Sequence, residues 1–133
     1  MKAIIFDIDW TICKMWDREM YDWAMLHLDT LDDKIMEVYN MFTKNLYTIL
    51  LLTARHENYR QWTEKWLKDN DVEYDELIMR SKEYEYDYQF KEEALHKIQE
   101  LYDVLCAFDD QQAICEMYER NDVRAFKVED LNK

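Results

Sequence analysis

No position in this chain of 133 residues is glycine or proline. At ordinary usage of roughly 7% and 5%, about sixteen would be expected. Every turn and helix end must therefore be built from residues that carry a Cβ and a backbone N–H. The composition has been imposed, whether naturally or by design. The glycine-rich phosphate loops of P-loop and dinucleotide-binding proteins cannot exist here. The same absence marks where strain should fall. Three helical patterns end alike, at Lys44-Asn45-Leu46, Asp69-Asn70-Asp71 and Arg120-Asn121-Asp122. The position after a helix end favours the left-handed conformation, for which glycine is best suited and asparagine next. Leu46, Asp71 and Asp122 are thus expected at positive φ, each at roughly 1 kcal/mol relative to glycine.

Hydrophobic patterning gives alternating elements. Apolar runs of strand length fall at Ala3–Phe6, Thr48–Leu52, Leu77–Met79, Val104–Phe108 and Val123–Val128. Several are nearly continuous, as in strands buried on both faces. Between them lie segments with helical spacing: Ile35, Val38, Tyr39 and Phe42; Tyr59, Trp62, Trp66 and Leu67; Phe90, Ala94, Leu95, Ile98 and Leu101; and Ala113, Ile114, Met117 and Tyr118. This alternation predicts a parallel α/β sheet with right-handed crossovers in a single domain, 1–133. The KEYEYDYQ run from Lys82 to Gln89 reads as an exposed loop leading into a helix.

With 49% hydrophobic and 15% aromatic residues the chain is globular, and no apolar run approaches a membrane span. The start lacks the pattern of a signal peptide, so a cytoplasmic location and no membrane partner are expected. Cys13, Cys106 and Cys115 have no metal or disulfide spacing and read as free thiols, two of them in the core. The formal net charge of −13 repels nucleic acid over most of the surface, so a phosphate-bearing ligand needs a local basic pocket.

The first strand runs into IIFDIDWT, placing Asp7 and Asp9 one residue apart, and the fourth ends in Asp109-Asp110. In a doubly wound sheet ligands bind at the carboxyl ends of strands near the switch in strand order. An aspartate there often caps the next helix. Three or four together repel one another unless a cation neutralises them, and an all-oxygen cluster suits Mg²⁺.

DIDWT (Asp7 to Thr11), a strand ending in Thr53, Lys91 near a later helix start, and the Asp109-Asp110 pair resemble, in order and spacing, the four motifs of the haloacid dehalogenase-like phosphatases. Lys14 and Arg18, Arg55 in LLTAR, and Asp87 four residues before Lys91 are similar to the further polar residues of the 3′-phosphatase domain of phage-type polynucleotide kinase/phosphatases. The resemblance implies a three-layer Rossmann-like sheet of about five strands, helices on both faces and no large cap domain. It implies Asp7 as nucleophile forming an aspartyl-phosphate, Asp9 as general acid and base, and Thr53 and Lys91 holding the transferring oxygens. Asp87 would orient Lys91, and Lys14, Arg18 and Arg55 would bind substrate. Mg²⁺ would be held by Asp7, the carbonyl of Asp9, and Asp109 or Asp110. The family carries glycine where this chain has Trp10, whose bulk would narrow the pocket.

Three functions are compatible with the sequence. The first is removal of 3′-phosphates from nucleic-acid ends or nucleotides. The others are hydrolysis of generic small phosphomonoesters and a non-catalytic engineered domain that folds without glycine and proline. No stable protein partner is predicted. His27, His56 and His96 share no metal spacing, and the Trp62/Trp66 stripe reads as core.

Overall fold

The computed structural model describes residues 1–14, 22–81 and 86–129. The strands are β1 (Lys2–Phe6), β2 (Cys13–Lys14), β3 (Thr30–Leu31), β4 (Thr48–His56), β5 (Glu76–Arg80), β6 (Asp103–Asp109) and β7 (Arg124–Lys127). The helices are α1 (Asp33–Lys44), α2 (Arg60–Asp69), α3 (Asp87–Leu101) and α4 (Gln112–Arg120), with 3-10 turns at Trp23–Leu28 and Glu57–Tyr59. Five strands form one sheet in the order β5-β4-β1-β6-β7, every pairing parallel, while β2 and β3 form a small antiparallel pair.

Strand alternation sorts β1 between two cores. Ile4 and Phe6 join Met36 and Tyr39 of α1 and Trp66 and Leu67 of α2 on one face. Ala3 and Ile5 join Phe90, Leu95 and Ile98 of α3 and Ile114 and Met117 of α4 on the other. With helices on both faces, the inner strands must be apolar throughout, and Ile49, Leu50, Leu51 and Leu52 are all buried.

The expected stripes need correcting on all four helices: Leu101 at the end of α3 and Ala113 at the start of α4 are exposed, and α1 and α2 differ as well. On α1 the inward positions are Met36 and Tyr39, and Val38 is exposed. On α2, Trp66 is buried with Thr63 and Leu67, whereas Trp62 is 52% exposed and is not core. The helical period turns these residues outward once the neighbouring position packs against the sheet. All three cysteines are free and buried.

Leu46, Asp71 and Asp122 have φ of 63°, 56° and 63°, as the glycine argument expects, and Trp10 joins them at 60°. Each of the three helix ends closes in the double hydrogen-bond pattern of a left-handed cap. Leu46 N–H donates to Thr43 and Tyr47 N–H to Phe42; Asp71 N–H donates to Lys68 and Val72 N–H to Leu67; Asp122 N–H donates to Glu119 and Val123 N–H to Tyr118. An apolar pair seals each cap, as where Phe42 and Tyr47 meet edge to face at 5.5 Å. The sequence retains the caps and pays in backbone strain.

Chain order explains where a site can form. The crossovers through α1 and α2 step from β1 to β4 to β5; the chain then returns through α3 to the other side of β1, and α4 leads on to β7. The carboxyl end of β1 therefore lies at the switch point, between β4 and β6. Among the described residues, only β2, β3, α1 and a 3-10 turn occupy the interval from β1 to β4, and only a 3-10 turn and α2 that from β4 to β5. Among the described residues no large cap domain covers the strand ends there. No helix among the described residues is long and apolar enough to cross a membrane.

Candidate active site

Asp7 follows β1 directly, its N–H held by the carbonyl of Phe108 at 3.0 Å. Its side chain is buried. Lys91, from the second turn of α3, reaches across to donate to Asp7 Oδ1 at 3.1 Å and to Asp109 Oδ2 at 2.7 Å. Thr11 Oγ1 donates to Asp7 Oδ2 at 3.3 Å, and the N–H of Gln111 donates to Asp109 Oδ1 at 3.0 Å. Asp110 completes the group: one carboxylate oxygen each of Asp7, Asp109 and Asp110 lie within 4.8 Å of one another.

The electrostatics follow from this crowding. Burial first, then the charge of Asp109, pushes the Asp7 carboxyl well above the usual carboxylate range despite the opposing pull of Lys91. Burial and Asp109 likewise raise Asp110 to about 6. Burial alone would lower the Lys91 pKa, but Asp109 and Asp7 outweigh it and raise it, so the ammonium stays charged.

Asp9 belongs to a second cluster. Residues one apart near a strand end would be expected to project together, but Asp9 lies in the turn after β1, where Trp10 takes its positive φ and the N–H groups of Thr11, Ile12 and Cys13 all turn back to the carbonyl of Ile8. Its carboxylate meets the Arg55 guanidinium, with Nη2 at 2.7 Å and Nε at 3.2 Å from Oδ1. Arg55 also donates to Asp29 Oδ2 at 2.9 Å and Thr63 Oγ1 at 3.3 Å, and lies over the Trp66 ring. Trp66 Nε1 in turn donates to the Asp29 carbonyl at 3.0 Å.

Arg55 has 0% exposure. Its guanidinium is an interior pairing group, where the sequence suggested a solvent-facing one. Burial would lower its pKa, yet Asp9 foremost raises it. Asp87 also departs from the sequence expectation: its Oδ1 accepts from Arg80 Nη1 at 2.6 Å, while Lys91 is oriented by Asp7 and Asp109. Thr53 is fully buried near the end of β4, and its Oγ1 accepts from the Arg55 N–H at 3.2 Å. Lys14, on β2, lies 4.0 Å from Asp32. Arg18 falls outside the described residues, as does Lys82.

Sequence reasoning missed three residues here. Thr11 was visible in DIDWT, four residues from the carboxylate it meets, and could have been included. Asp29 and Arg80 could not, because the pairs Asp29–Arg55 and Arg80–Asp87 join separate elements with no shared motif.

An uncapped parallel sheet with an aspartate at the switch point, a buried lysine and a second acidic pair on the neighbouring strand is the arrangement of a haloacid dehalogenase-like phosphatase. The family model for the polynucleotide kinase PNKP phosphatase domain matches residues 1–132, and the chain belongs to that family of phosphatases. It is also similar to chains in solved structures of a Pnkp1/Rnl/Hen1 complex and of a Pnkp1/Rnl/Hen1 RNA repair complex, each with 32% identity and a TM-score of 0.89. Both matches cover 96% of this chain, but only 45% and 42% of the respective neighbours. The chain therefore spans under half their length.

Proposed function

We propose that residues 1–133 act as one catalytic unit, a Mg²⁺-dependent phosphomonoesterase that removes 3′-phosphates from nucleic-acid ends or nucleotides through an aspartyl-phosphate at Asp7. The observation that carries this reading is the setting of Asp7. It stands at the open end of β1, fixed by Lys91 and Thr11 and bracketed by Asp109 and Asp110.

The donor set fits a hard divalent cation. Three carboxylates share one ammonium, two of them are driven towards protonation by burial and mutual repulsion, and all the donors are oxygen. Asp7, Asp109 or Asp110, and the Asp9 carbonyl would hold it. When bound, such an ion offsets charge on the phosphoryl oxygens and favours the ionised carboxylates.

Asp7 supplies the oxygen that bonds to phosphorus as the bond from phosphorus to the sugar oxygen breaks. Asp9 gives its proton to that leaving oxygen, then accepts one from the water that attacks phosphorus and frees Asp7. Arg55 serves this step by fixing the Asp9 carboxylate, a positioning role in place of the substrate contact the sequence suggested. Lys91 has three donors, two of them used, and Thr53 accepts through its oxygen while its O–H proton is left to donate; both suit phosphoryl oxygens. Lys14 and Arg18 are retained as substrate contacts. The polymer-end preference is supported by the family, by the RNA repair complex in which a similar chain occurs, and by the open strand ends.

Phosphate release from matched 3′- and 5′-phosphorylated dinucleotides, with Mg²⁺ and with EDTA, tests the reading. Release from the 3′ substrate that EDTA stops is expected. Equal rates on both would indicate a generic phosphomonoesterase. Release from neither, in folded protein, would favour a non-catalytic domain.

A further inference from the structure

The tyrosine-rich approach to α3 is not accounted for by the chemistry above. Tyr86 and Tyr88 are 50% and 42% exposed, yet their rings lie nearly parallel, 16° apart with centroids at 5.7 Å. They border a cleft of about 460 Å³ whose opposite side is formed by Gln111, Ala113 and Ile114 at the start of α4. Elsewhere among the described residues, the half-buried Tyr59 and the exposed Trp62 cross at 60° and offer no common plane, and exposed Phe126 stacks on Phe108 of the neighbouring strand β6, away from this cleft's lining.

The cleft adjoins the phosphate site on both sides. Tyr88 is three residues before Lys91 on the same helix, so the two share a face one turn apart. Across the cleft, Gln111 donates its N–H to Asp109, the other partner of Lys91. In a nucleotide the base is separated from the 3′-phosphate by one sugar ring, a span comparable with the pitch of one helical turn, about 5.4 Å.

We propose that this cleft is the nucleobase subsite, where the base of the terminal nucleotide stacks on the Tyr86–Tyr88 pair while its 3′-phosphate lies on Asp7. The proposal rests on the phosphatase reading above and names what that site holds besides phosphate. The charge balance favours such an occupant. A chain of net charge −13 gains little from tracking a polyanion, and the cation bordering the cleft, Arg80, already forms an ion pair with Asp87. Stacking on an aromatic face needs no charge and tolerates any base. It predicts preference for substrates that carry a base, without sequence preference.

The test compares kcat/KM for adenosine 3′-monophosphate with that for a base-free sugar phosphate, in the wild-type chain and in Tyr86→Ala, Tyr88→Ala, the double variant and Tyr88→Phe. Because both rings are exposed, the variants should fold, and far-UV circular dichroism verifies it. The ratio of base-bearing to base-free kcat/KM should fall about tenfold in the double alanine variant, through KM, the scale of one lost aromatic–base stack. It should return in Tyr88→Phe, which keeps the ring, and raising salt should leave the wild-type ratio in place. An unchanged ratio in the double variant, or equal losses on both substrates, would overturn the subsite.

If the wild-type chain hydrolyses neither compound, the phosphatase reading fails, and NMR titration of the tyrosine rings decides the cleft separately. Base-dependent binding that disappears in the double variant would support the subsite. No difference between the two compounds would refute it.

Discussion

Replacing Leu46 by glycine should stabilise the protein, against the usual cost of placing glycine in a fold. Leu46 is 90% exposed, so its side chain contributes almost no burial to lose. Its φ of 63° brings Cβ against the following carbonyl, which costs roughly 1–2 kcal/mol for an ordinary residue. The glycine chain loses about 0.5–1 kcal/mol more conformational entropy on folding. The difference is a gain of about 0–1.5 kcal/mol for Leu46→Gly, centred on about 0.7 kcal/mol. Asp71 and Asp122, which are exposed and carry short polar side chains better tolerated in this conformation, should gain less. The three caps end different helices and share no partners, so the triple variant should gain about 1–2 kcal/mol by addition. Urea denaturation with an unchanged m-value measures it. Leu46→Ala supplies the control, because it keeps Cβ and should leave the strain in place. Destabilisation by Leu46→Gly, or an equal gain in Leu46→Ala, would refute the strain argument.

Other expected outcomes concern the site and the thiols. Asp7→Asn should abolish phosphate release while leaving stability in EDTA equal or higher, since one member of a mutually repelling group is neutralised; turnover assays and thermal melts separate the two effects. Arg55→Met should lower stability by about 3–5 kcal/mol, because Asp9 and Asp29 lose their shared buried cation, and Arg55→Lys should keep more of the stability but lose turnover with the planar fork. For Asp110 the folded pKa of about 6 lies above the unfolded value of 3.8, so the stabilisation it adds is present below about pH 4 and is lost as pH rises through 6. In EDTA that loss is up to roughly 3 kcal/mol, reduced to about 1–2 by partial solvent screening; chemical denaturation across that range should show it shrink in Asp110→Asn to the share that the raised Asp7 contributes. Burial pushes Cys106 and Cys115 up to about 11, so at pH 8 native protein should react far more slowly with a thiol reagent than urea-unfolded protein.

Local chemistry decided much of this protein by itself. The apolar runs dictated a parallel sheet, because strands buried on both faces cannot alternate, and the missing glycines dictated where positive φ would appear, because the helix-end geometry is set within six residues. The motif order around Asp7, Thr53, Lys91 and Asp109-Asp110 pointed to the phosphatase class before any contact was known. What the side chains do to one another was decided only in three dimensions. The strand order brings the Lys91 ammonium between Asp7 and Asp109, 84 and 18 residues away in sequence. The turn at Trp10 sends Asp9 to Arg55, whose guanidinium is enclosed by Asp29 before β3 and by Thr63 and Trp66 of α2. A sequence shows that an arginine is charged; whether that charge reaches solvent or is spent on an interior carboxylate depends on packing between elements distant in the chain. Here packing made Arg55 a partner of Asp9 and left Tyr86 and Tyr88 facing solvent beside the site.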